Sequence, residues 1–381
     1  MKKFAVGLLV LIILAGIVSG LGYMVRQRAA KEAEQQYYLG QSFLEKNDDA
    51  RAREAFKTLL EQSPRSRFAE PAISQLAMIA ERAKEFDKAL GYWTRLESNF
   101  PMSSRSEEIK YHKGYCLENL KRYDDAREMY MAATEGSQFY VPSRCGLGRI
   151  EEASGRLLDA RDIYRDAVKA SVAGTDDYKE AVELLGNINV RLLFSKAKTP
   201  ESILYRVKPG DSISSIGSKF SVTKASILRA NGLQPDTPLR VNWSLKITPF
   251  EYKVVIDMSD FRMQVFANDQ LFKEYDVGLG RPDSPTTPGK YVIGNKIVNP
   301  TWYSPKGKVY PPGDPENELG TRWMGLQPLE PNLPTDLGIH STIHPNTVGW
   351  ASSSGCPRMR PADAEELFDI LPLRTPVLIK E

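Results

Sequence analysis

The stretch GIHSTIHPNTVGWASSSGCPRM, residues 338–359, carries two of the three histidines and one of the three cysteines of a 381-residue chain. His340 precedes Cys356 by sixteen residues. A thiol is a strong nucleophile only as the thiolate, and an imidazole within hydrogen-bond reach can take its proton and later return it to a leaving amine. The spacing alone is weak evidence, because a buried free cysteine is common. The concentration of these rare residues in one stretch predicts acyl transfer, with Cys356 as nucleophile and His340 as general base.

Two further features of this stretch bear on the chemistry. Gly355 lets the backbone approach a reacting carbonyl closely, and the amide N–H of Cys356 with a neighbouring N–H can form an oxyanion hole. His344 lies four residues after His340 but precedes Pro345 in a predicted turn. We therefore expect His344 to line the cleft or face solvent rather than act as the base.

The sequence around this stretch has the pattern of β-strands from residue 252 to residue 380. The predicted strands are YKVVIDM, FRMQVFA, LFKEYDVGL, GKYVIGNKIV and TPVLIKE. The segment from Asn299 to Leu337 is predicted to be irregular, and its length suggests a substrate-binding lid or wall. We therefore predict a mainly β domain at residues 252–380.

The domain at residues 252–380 resembles the L,D-transpeptidases, whose signature is a His-Gly/Ser start followed by Ser-x-Gly-Cys-x-Arg-Met. VGLG, TPGKYVIGNKI, NPTWY and PPGDPENELGTRWMGL support the match. The resemblance implies five site residues: Cys356 as nucleophile, His340 as base, Ser341 to orient the imidazole, Gly355 to shape the oxyanion site, and Arg358 to brace the site or meet a substrate carboxylate. Pro357 and Ser354 depart from the family pattern, but the Cys–His pair is intact.

The implied reaction is attack on the third residue of a peptidoglycan tetrapeptide stem, with release of the terminal D-alanine. An amine of a second stem would then give a 3-3 cross-link, a protein amine would attach protein to the cell wall, and water would make the enzyme an L,D-carboxypeptidase. No cofactor or metal is implied. The alternative of another class is a non-catalytic, peptidoglycan-binding envelope scaffold, against which the intact pair argues.

Residues 204–248 form a second unit that resembles the lysin motif (LysM), a βααβ module that binds glycans containing N-acetylglucosamine. The match runs from Tyr205 to Ile247, but Asn242-Trp243 stands where the family usually has Gly-Gln. Glycan contacts are expected from the loops at the helix ends, although the same residues could be turn and packing residues. The six candidates are Gly210, Asp211, Ser212, Asn231, Gly232 and Leu233.

Residues 36–195 read as helix pairs. An Ala-x-x-x-aromatic pattern recurs at Ala52/Phe56, Ala89/Trp93, Ala126/Tyr130 and Ala160/Tyr164, with steps of 37, 37 and 34 residues. The period resembles tetratricopeptide repeats, which offer a concave face to another protein, here an envelope protein, or act as a spacer. His112 and Cys116 share a helix face but lack a third ligand, so we assign no metal site there.

The N-terminus is strongly apolar, with no charged residue between Phe4 and Val25. These 22 residues suffice to span about 30 Å of hydrocarbon as a helix. Residues 1–28 are therefore predicted to be a transmembrane anchor, with a cleavable signal peptide as the alternative. This predicts a bacterial envelope protein with a single-pass inner-membrane anchor and periplasmic or other extracytoplasmic domains.

The net charge and the number of cysteines exclude further classes of function and of cysteine pairing. Lys plus Arg exceed Asp plus Glu by 51 − 48 = 3, which is too little for a nucleic-acid-binding field. Three cysteines cannot all pair within one chain, and Cys116 and Cys145 are predicted to be helix core residues. The whole chain is thus predicted to be a multidomain α and β protein: anchor helix, α-helical repeat stack, small βααβ module and mainly β catalytic domain.

Overall fold

The computed structural model describes the backbone of residues 2–304 and 307–381, and the side chains of this range from residue 23 onward. It contains two compact units, Met1–Ser154 and Gly155–Glu381. The uncharged run at residues 4–25 of the predicted anchor, residues 1–28, falls within the first helix, α1 (Lys2–Glu45), and almost all of this run lies outside the residues whose side chains are described. Across the described part of the chain, no helix meets the length and apolarity needed to cross a membrane.

The first unit is a stack of antiparallel helices. After α1 come α2 (Asp49–Gln62), α3 (Ala69–Arg82), α4 (Phe86–Asn99), α5 (Ser106–Asn119), α6 (Tyr123–Met131) and α7 (Tyr140–Ala153). The alanines and aromatic residues of the predicted pattern are buried between neighbouring helices. A Cβ added at Gly146 would lie 2.4 Å from the Tyr130 ring, so the repeat depends on small residues where helices meet. The predicted helical repeats are confirmed.

The two cysteines of this unit are core residues, as predicted. Cys116 on α5 and Cys145 on α7 are buried. The His112 ring stacks on Trp93 with 4.6 Å between ring centroids, and its Nδ1 lies 2.9 Å from a carboxylate oxygen of Glu81. His112 is therefore a packing residue of the helical stack.

The second unit begins with the last predicted repeat, α8 (Leu157–Ala170) and α9 (Asp176–Leu193). The βααβ module follows, with β1 (Ile203–Arg206), α10 (Ile213–Phe220), α11 (Lys224–Asn231) and β2 (Ser244–Ile247). β1 and β2 are antiparallel, with Tyr205 opposite Leu245. The predicted element order of this module is confirmed.

An eight-stranded sheet forms the core of the C-terminal domain. In spatial order its strands are β13 (Arg358–Met359), β11 (Gly338–Ser341), β10 (Arg322–Pro328), β7 (Gly289–Val298), β14 (Pro376–Lys380), β3 (Tyr252–Asp257), β4 (Arg262–Ala267) and β5 (Gln270–Asp276). Two short pairs accompany it, β6 (Leu279–Gly280) with β12 (Ala351–Ser353) and β8 (Trp302–Tyr303) with β9 (Val309–Tyr310). Helix α12 (Pro361–Ile370) packs against β10 and β11. The predicted mainly β domain is confirmed.

Strand β10 corrects the prediction that residues 299–337 are irregular. It pairs with both β7 and β11, and the register shifts between Gly325 and Leu326. Met324, Gly325 and Leu326 are all buried, so the alternation that marks a strand in sequence is lost. A strand without this alternation, inside a segment rich in glycine and proline, therefore reads as a loop.

Helix α9 also differs from its predicted role, because it packs along the edge strand β5 instead of serving only the repeat stack. The Asn189 side-chain amide donates to the Phe272 carbonyl at 2.8 Å, and the Lys273 side chain packs against Gly186. Covering an edge strand prevents it from pairing with another chain. The last helix pair of the predicted repeats thus belongs to the compact unit that contains the sheet.

Candidate active site

Parallel pairing of β11 with β13 brings the two ends of the sixteen-residue loop together. His340 lies opposite Arg358, and the His340 amide N–H donates to the Pro357 carbonyl at 3.1 Å. Cys356 precedes Arg358 by two residues, and the Gly338 backbone N–H donates a hydrogen bond to the Cys356 thiol. Residue 357 contributes its carbonyl to this strand pairing, so the missing N–H of Pro357 does not interrupt it.

Both predicted catalytic residues line one cavity of about 350 Å³. Most of its other lining residues lie between residues 300 and 336, including Trp302 and Tyr303 of the β8–β9 hairpin. The prediction that this segment forms a wall of the cleft is confirmed. His344 is exposed at the start of a short 3-10 turn and does not line the cavity.

The His340 imidazole is held in one tautomer by its neighbour. Its Nδ1 lies 2.6 Å from the Ser341 carbonyl oxygen, which can only accept, so Nδ1 carries the proton and Nε2 carries the free lone pair. The ring also stacks on Trp323, with 5.8 Å between centroids. Burial lowers the pKa of His340 to about 4, and the hydrogen bond to Ser341 only partly offsets this effect. The imidazole is therefore uncharged at neutral pH, and its Nε2 is able to accept a proton.

The Ser341 carbonyl contacts the His340 imidazole, while the Ser341 hydroxyl makes separate contacts. The Ser341 Oγ accepts from the amides of Thr321 at 2.6 Å and Arg322 at 3.2 Å, and donates to the Leu319 carbonyl at 3.0 Å. These contacts fix the start of β10 against β11. The role implied for Ser341 is therefore compatible with the geometry, but the backbone performs it.

Cys356 is half-buried and free. Burial raises the pKa of its thiol above the ordinary value, while the hydrogen bond from Gly338 acts in the opposite direction. With a raised thiol pKa and a lowered His340 pKa, both groups are neutral in the resting site. To act as a nucleophile, the Cys356 thiol would have to lose its proton during the reaction, which requires a base beside it.

In the turn before Cys356, the backbone N–H groups of Gly355 and Cys356 differ in their hydrogen bonding. Gly355 has φ +120°, a conformation that residues with a side chain rarely adopt, and its N–H donates to the Ser353 hydroxyl at 3.1 Å. Within the described residues, no group accepts from the Cys356 N–H. The Cys356 N–H is thus the donor that can stabilise an oxyanion, whereas the Gly355 N–H already donates to Ser353 and is not available for that role.

Arg358 is buried beneath the cavity wall. Its Nη2 lies 2.6 Å from Glu318 Oε2, and both residues line the cavity. The guanidinium Nε has no partner among the residues that the structure describes. This contact agrees with the bracing role implied for Arg358, because its largely buried charge is paired with the partly exposed carboxylate of Glu318.

Thr286 is a positioning residue that the sequence reasoning missed. Its buried hydroxyl donates to the Gly355 carbonyl at 2.7 Å and accepts from the Gly280 N–H at 2.9 Å. The sequence feature that could have indicated it is its position directly before TPGKY, one of the motifs that support the family match. Thr286 therefore ties the turn before Cys356 to strand β6.

Replacing Thr286 by valine should lower the rate of Cys356 acylation about tenfold, because a displaced turn misplaces the thiol. It should also lower the free energy of unfolding by about 1–3 kcal/mol, since the Gly355 carbonyl loses its buried donor. Thr286→Ser, which keeps the hydroxyl, is the matched control. The positioning role is refuted if the valine variant is acylated at the wild-type rate.

The pH dependence of acylation should reflect the buried base. Because the folded-state pKa of His340 lies below its ordinary value of 6.5, the imidazole stays neutral until the pH approaches about 4. The acylation rate should therefore hold between neutral and mildly acidic pH and fall only near about pH 4. Stopped-flow acylation measures this limb, with circular dichroism at each pH to confirm folding. A midpoint near 6.5 would contradict the neutral, buried imidazole.

The first loop of the βααβ module is held by internal hydrogen bonds. Gly210 has φ +83°, as its turn requires. The Asp211 carboxylate accepts from the Tyr205 hydroxyl at 2.8 Å and the Lys208 amide at 2.7 Å, and these hydrogen bonds lower its pKa. Ser212 caps α10. These three candidates for glycan contact therefore have turn and capping roles in the module.

The second loop is similar. Asn231 accepts from the Lys246 amide at 2.8 Å and donates to the Lys246 carbonyl at 2.9 Å, Gly232 ends α11 with φ +65°, and the Leu233 amide donates to Leu228 at 2.9 Å. Asn242 has φ +71°, a conformation that asparagine tolerates better than most residues. The replacement of the usual glycine at Asn242 thus leaves the module fold intact.

Comparison with known families supports this division of the chain. Residues 251–379 match the L,D-transpeptidase catalytic domain, residues 205–248 match the LysM domain, and residues 36–66 and 74–140 match tetratricopeptide repeats. Among solved structures, one of an Enterococcus faecium L,D-transpeptidase variant is 23% identical, with a TM-score of 0.29, and covers 34% of this chain. This chain spans half of that protein, 50%.

Curated relatives are closer in sequence. The candidate L,D-transpeptidase YkuD of Bacillus licheniformis is 28% identical over 183 residues, which cover 46% of this chain and 98% of YkuD. The candidate L,D-transpeptidase YqjB of Bacillus subtilis is 30% identical over 136 residues, which cover 35% of this chain and 73% of YqjB. With the domain match and the cavity at Cys356, these relatives show that the chain belongs to the L,D-transpeptidase family.

Proposed function

We propose that the protein is a peptidoglycan L,D-transpeptidase that works through a thioester on Cys356. The observation that carries this proposal is the shared cavity in which a half-buried thiol accompanies an imidazole whose Nδ1 is committed to the Ser341 carbonyl. The free Nε2 can then act as base, and no metal or cofactor is required for the proton transfers.

In the first half-reaction, His340 Nε2 takes the proton from the Cys356 thiol as the sulfur attacks the carbonyl carbon of the third stem residue. The Cys356 N–H stabilises the oxyanion that forms. The protonated imidazole then gives its proton to the amine of the departing D-alanine, and the C–N bond breaks to leave the thioester. Because burial disfavours the imidazolium, its pKa of about 4 favours this return of the proton.

In the second half-reaction, an amine attacks the thioester carbonyl and His340 takes the proton from that amine. Collapse of the adduct releases the Cys356 sulfur, which recovers the proton from His340. An amine on the side chain of a second stem gives the 3-3 cross-link, an amine of a protein gives wall attachment, and water gives a carboxypeptidase. We favour the stem amine, because the LysM module fits an enzyme that acts on polymeric wall.

The test is turnover of a soluble tetrapeptide stem with and without an amine acceptor. We expect release of the terminal alanine and, when the acceptor is present, a peptide dimer joined through the third residues. If the tripeptide is the sole product even at a saturating concentration of the amine acceptor, the protein is an L,D-carboxypeptidase. No alanine release by the folded protein would favour the non-catalytic scaffold.

We further propose that residues 1–28 anchor the protein in the inner membrane with the remaining domains outside the cytoplasm. The uncharged run from residue 4 to residue 25 and the wall substrate support this arrangement. Alkaline phosphatase fused after Glu381 should be active in cells, because this enzyme folds only after export. An inactive but intact fusion would contradict the topology.

The LysM module should tune capture of the wall without taking part in the chemical step, since binding groups remote from the reacting atoms act mainly on positioning. Deleting residues 205–247 would also remove Lys246, whose Nζ donates to the carbonyls of Leu192 and Ser195. Point substitutions on the surface of the module are therefore the better test than deletion.

A further inference from the structure

Two cationic side chains fasten the LysM module to the rest of its compact unit. Lys246 is buried, and its Nζ donates to the carbonyls of Leu192 at 2.6 Å and Ser195 at 2.9 Å, where α9 ends. Arg229 lies 3.6 Å from the centroid of the Phe194 ring, and its Nη1 lies 3.0 Å from Asp369 Oδ2 on α12. The module is therefore fixed to both α9 and α12.

This attachment forms a groove of about 850 Å³ between the module and the segment that follows α12. On one wall are hydroxyl groups of α10 and the residue after it, Ser214, Ser218 and Ser221. Pro372 and Leu373 lie on the other wall. None of the six candidate glycan residues lines it, so the groove is distinct from the loops expected to contact N-acetylglucosamine.

The free charge in the groove is positive. Lys224 and Arg374 are exposed and have no ion-pair partner among the described residues. The acidic lining residue, Asp369, is already paired with Arg229, and the Lys296 ammonium donates to backbone carbonyls including that of Leu371 at 2.7 Å. An anion entering the groove would therefore meet two unpaired cations.

The position of Lys224 is not explained by the stability of its helix. Lys224 is the first residue of α11, where the unpaired backbone N–H groups already carry partial positive charge. A cation there is unfavourable for the helix, whereas a bound anion would be favourable. The charge at this site thus fits ligand binding better than folding.

The groove and the catalytic cavity lie on opposite faces of strand β7. Lys296 lines the groove and its neighbour Ile297 lines the cavity that holds Cys356. Successive residues of a strand point to opposite faces. A chain held in the groove is therefore a different segment of the cell wall from the stem that reacts.

We propose that this groove is a second binding site, which holds a carboxylate-bearing stem peptide of the cell wall while another stem reacts at Cys356. The proposal rests on the proposed peptidoglycan substrate. The two free cations would bind stem carboxylates, and the serine hydroxyls would bind amide or sugar groups. Because Arg229 ties the module to Asp369 of α12 and Lys246 ties it to α9, the groove is formed before the ligand arrives.

The test is binding of the full-length chain, in detergent, to purified sacculi at low salt. The double variant Lys224→Glu/Arg374→Glu should weaken binding about tenfold, and the difference should shrink at high salt. The matched control is Lys198→Glu/Arg206→Glu, which changes two exposed cations outside the groove and should bind as the wild type. Acylation of Cys356 by a carbapenem should be unchanged in both.

Treated sacculi identify the source of the anion. After an amidase removes the stem peptides, the wild type and the groove variant should bind equally; after phosphate-containing polymers are removed instead, the tenfold difference should persist. Equal binding to intact sacculi, or a difference that disappears with the phosphate polymers, overturns the proposal. Failure of wild-type acylation would count against the enzyme function alone, because sacculus binding is measured separately.

Discussion

Replacing Cys356 by alanine should abolish covalent modification of the protein by a carbapenem, a class of acylating agent that the family resemblance implies. Loss of a nucleophile typically costs on the order of 10⁴–10⁶ in rate. The other thiols cannot substitute, because Cys116 and Cys145 are buried in the helical stack. Burial also raises the pKa of Cys116 far above its ordinary value. Intact-mass spectrometry after timed mixing measures the adduct.

The control for this experiment is Cys116→Ala, which should be acylated at the wild-type rate. Thermal unfolding should show that the Cys356 variant is folded, since a half-buried thiol is replaced by a smaller side chain without loss of a charge. An adduct of unchanged mass and rate in the Cys356 variant would mean that another group is the nucleophile.

Replacing His340 by alanine should slow acylation by a factor on the order of 10²–10⁴, the usual effect of losing a general base. The equivalent change at His344 should have little effect, because His344 is exposed and does not line the cavity. The two variants therefore form a matched pair of histidine substitutions within one loop. Single-turnover acylation gives both rates under identical conditions.

His340 is buried, so its loss could disturb the fold as well as the chemistry. His340→Gln keeps a polar group near the Ser341 carbonyl and serves as the check, provided that its far-ultraviolet spectrum matches the wild type. A slow His344 variant together with a normal His340 variant would reverse the assignment of the base while leaving the reaction class intact.

The shared cavity of Cys356 and His340, the proposed catalytic pair, could be predicted from sequence because histidine and cysteine, both rare in this chain, are concentrated in one stretch. Two histidines and a cysteine within residues 340–356 indicated a site, and the strand pattern on either side indicated the domain. The pairing of β11 with β13 explains why sixteen residues in sequence can still end at one cavity. Long-range strand pairing of this kind does not show in a local pattern.

Other parts of the site could not be predicted because they depend on backbone geometry. Ser341 was expected to orient His340, but the sequence does not tell that its carbonyl contacts the ring while its hydroxyl binds the start of β10. The role of Thr286 depends on the turn at Gly355, which only the folded chain brings near. Strand β10 was hidden because Met324, Gly325 and Leu326 are all buried, which removes the alternation that marks a strand in sequence.

The βααβ module shows the same limit in another form. The fold of the module followed from the spacing of its motif. The sequence could not tell whether Asp211 and Asn231 bind a ligand or hold the loops, and in the structure both make hydrogen bonds within the module. Helix α9 was assigned to the repeats by its period, yet it also covers the edge of the catalytic sheet. Periodicity identifies a helix but not every surface that it packs against.

The most direct test of the proposed mechanism is to trap the intermediate with a tetrapeptide stem. The protein would be mixed with excess stem, quenched in acid, digested and examined by mass spectrometry. We predict that the peptide containing Cys356 gains the mass of the stem minus its terminal alanine, and that hydroxylamine, which cleaves thioesters, removes the added mass. Release of alanine without any adduct on Cys356, or with the adduct on another residue, would contradict the account.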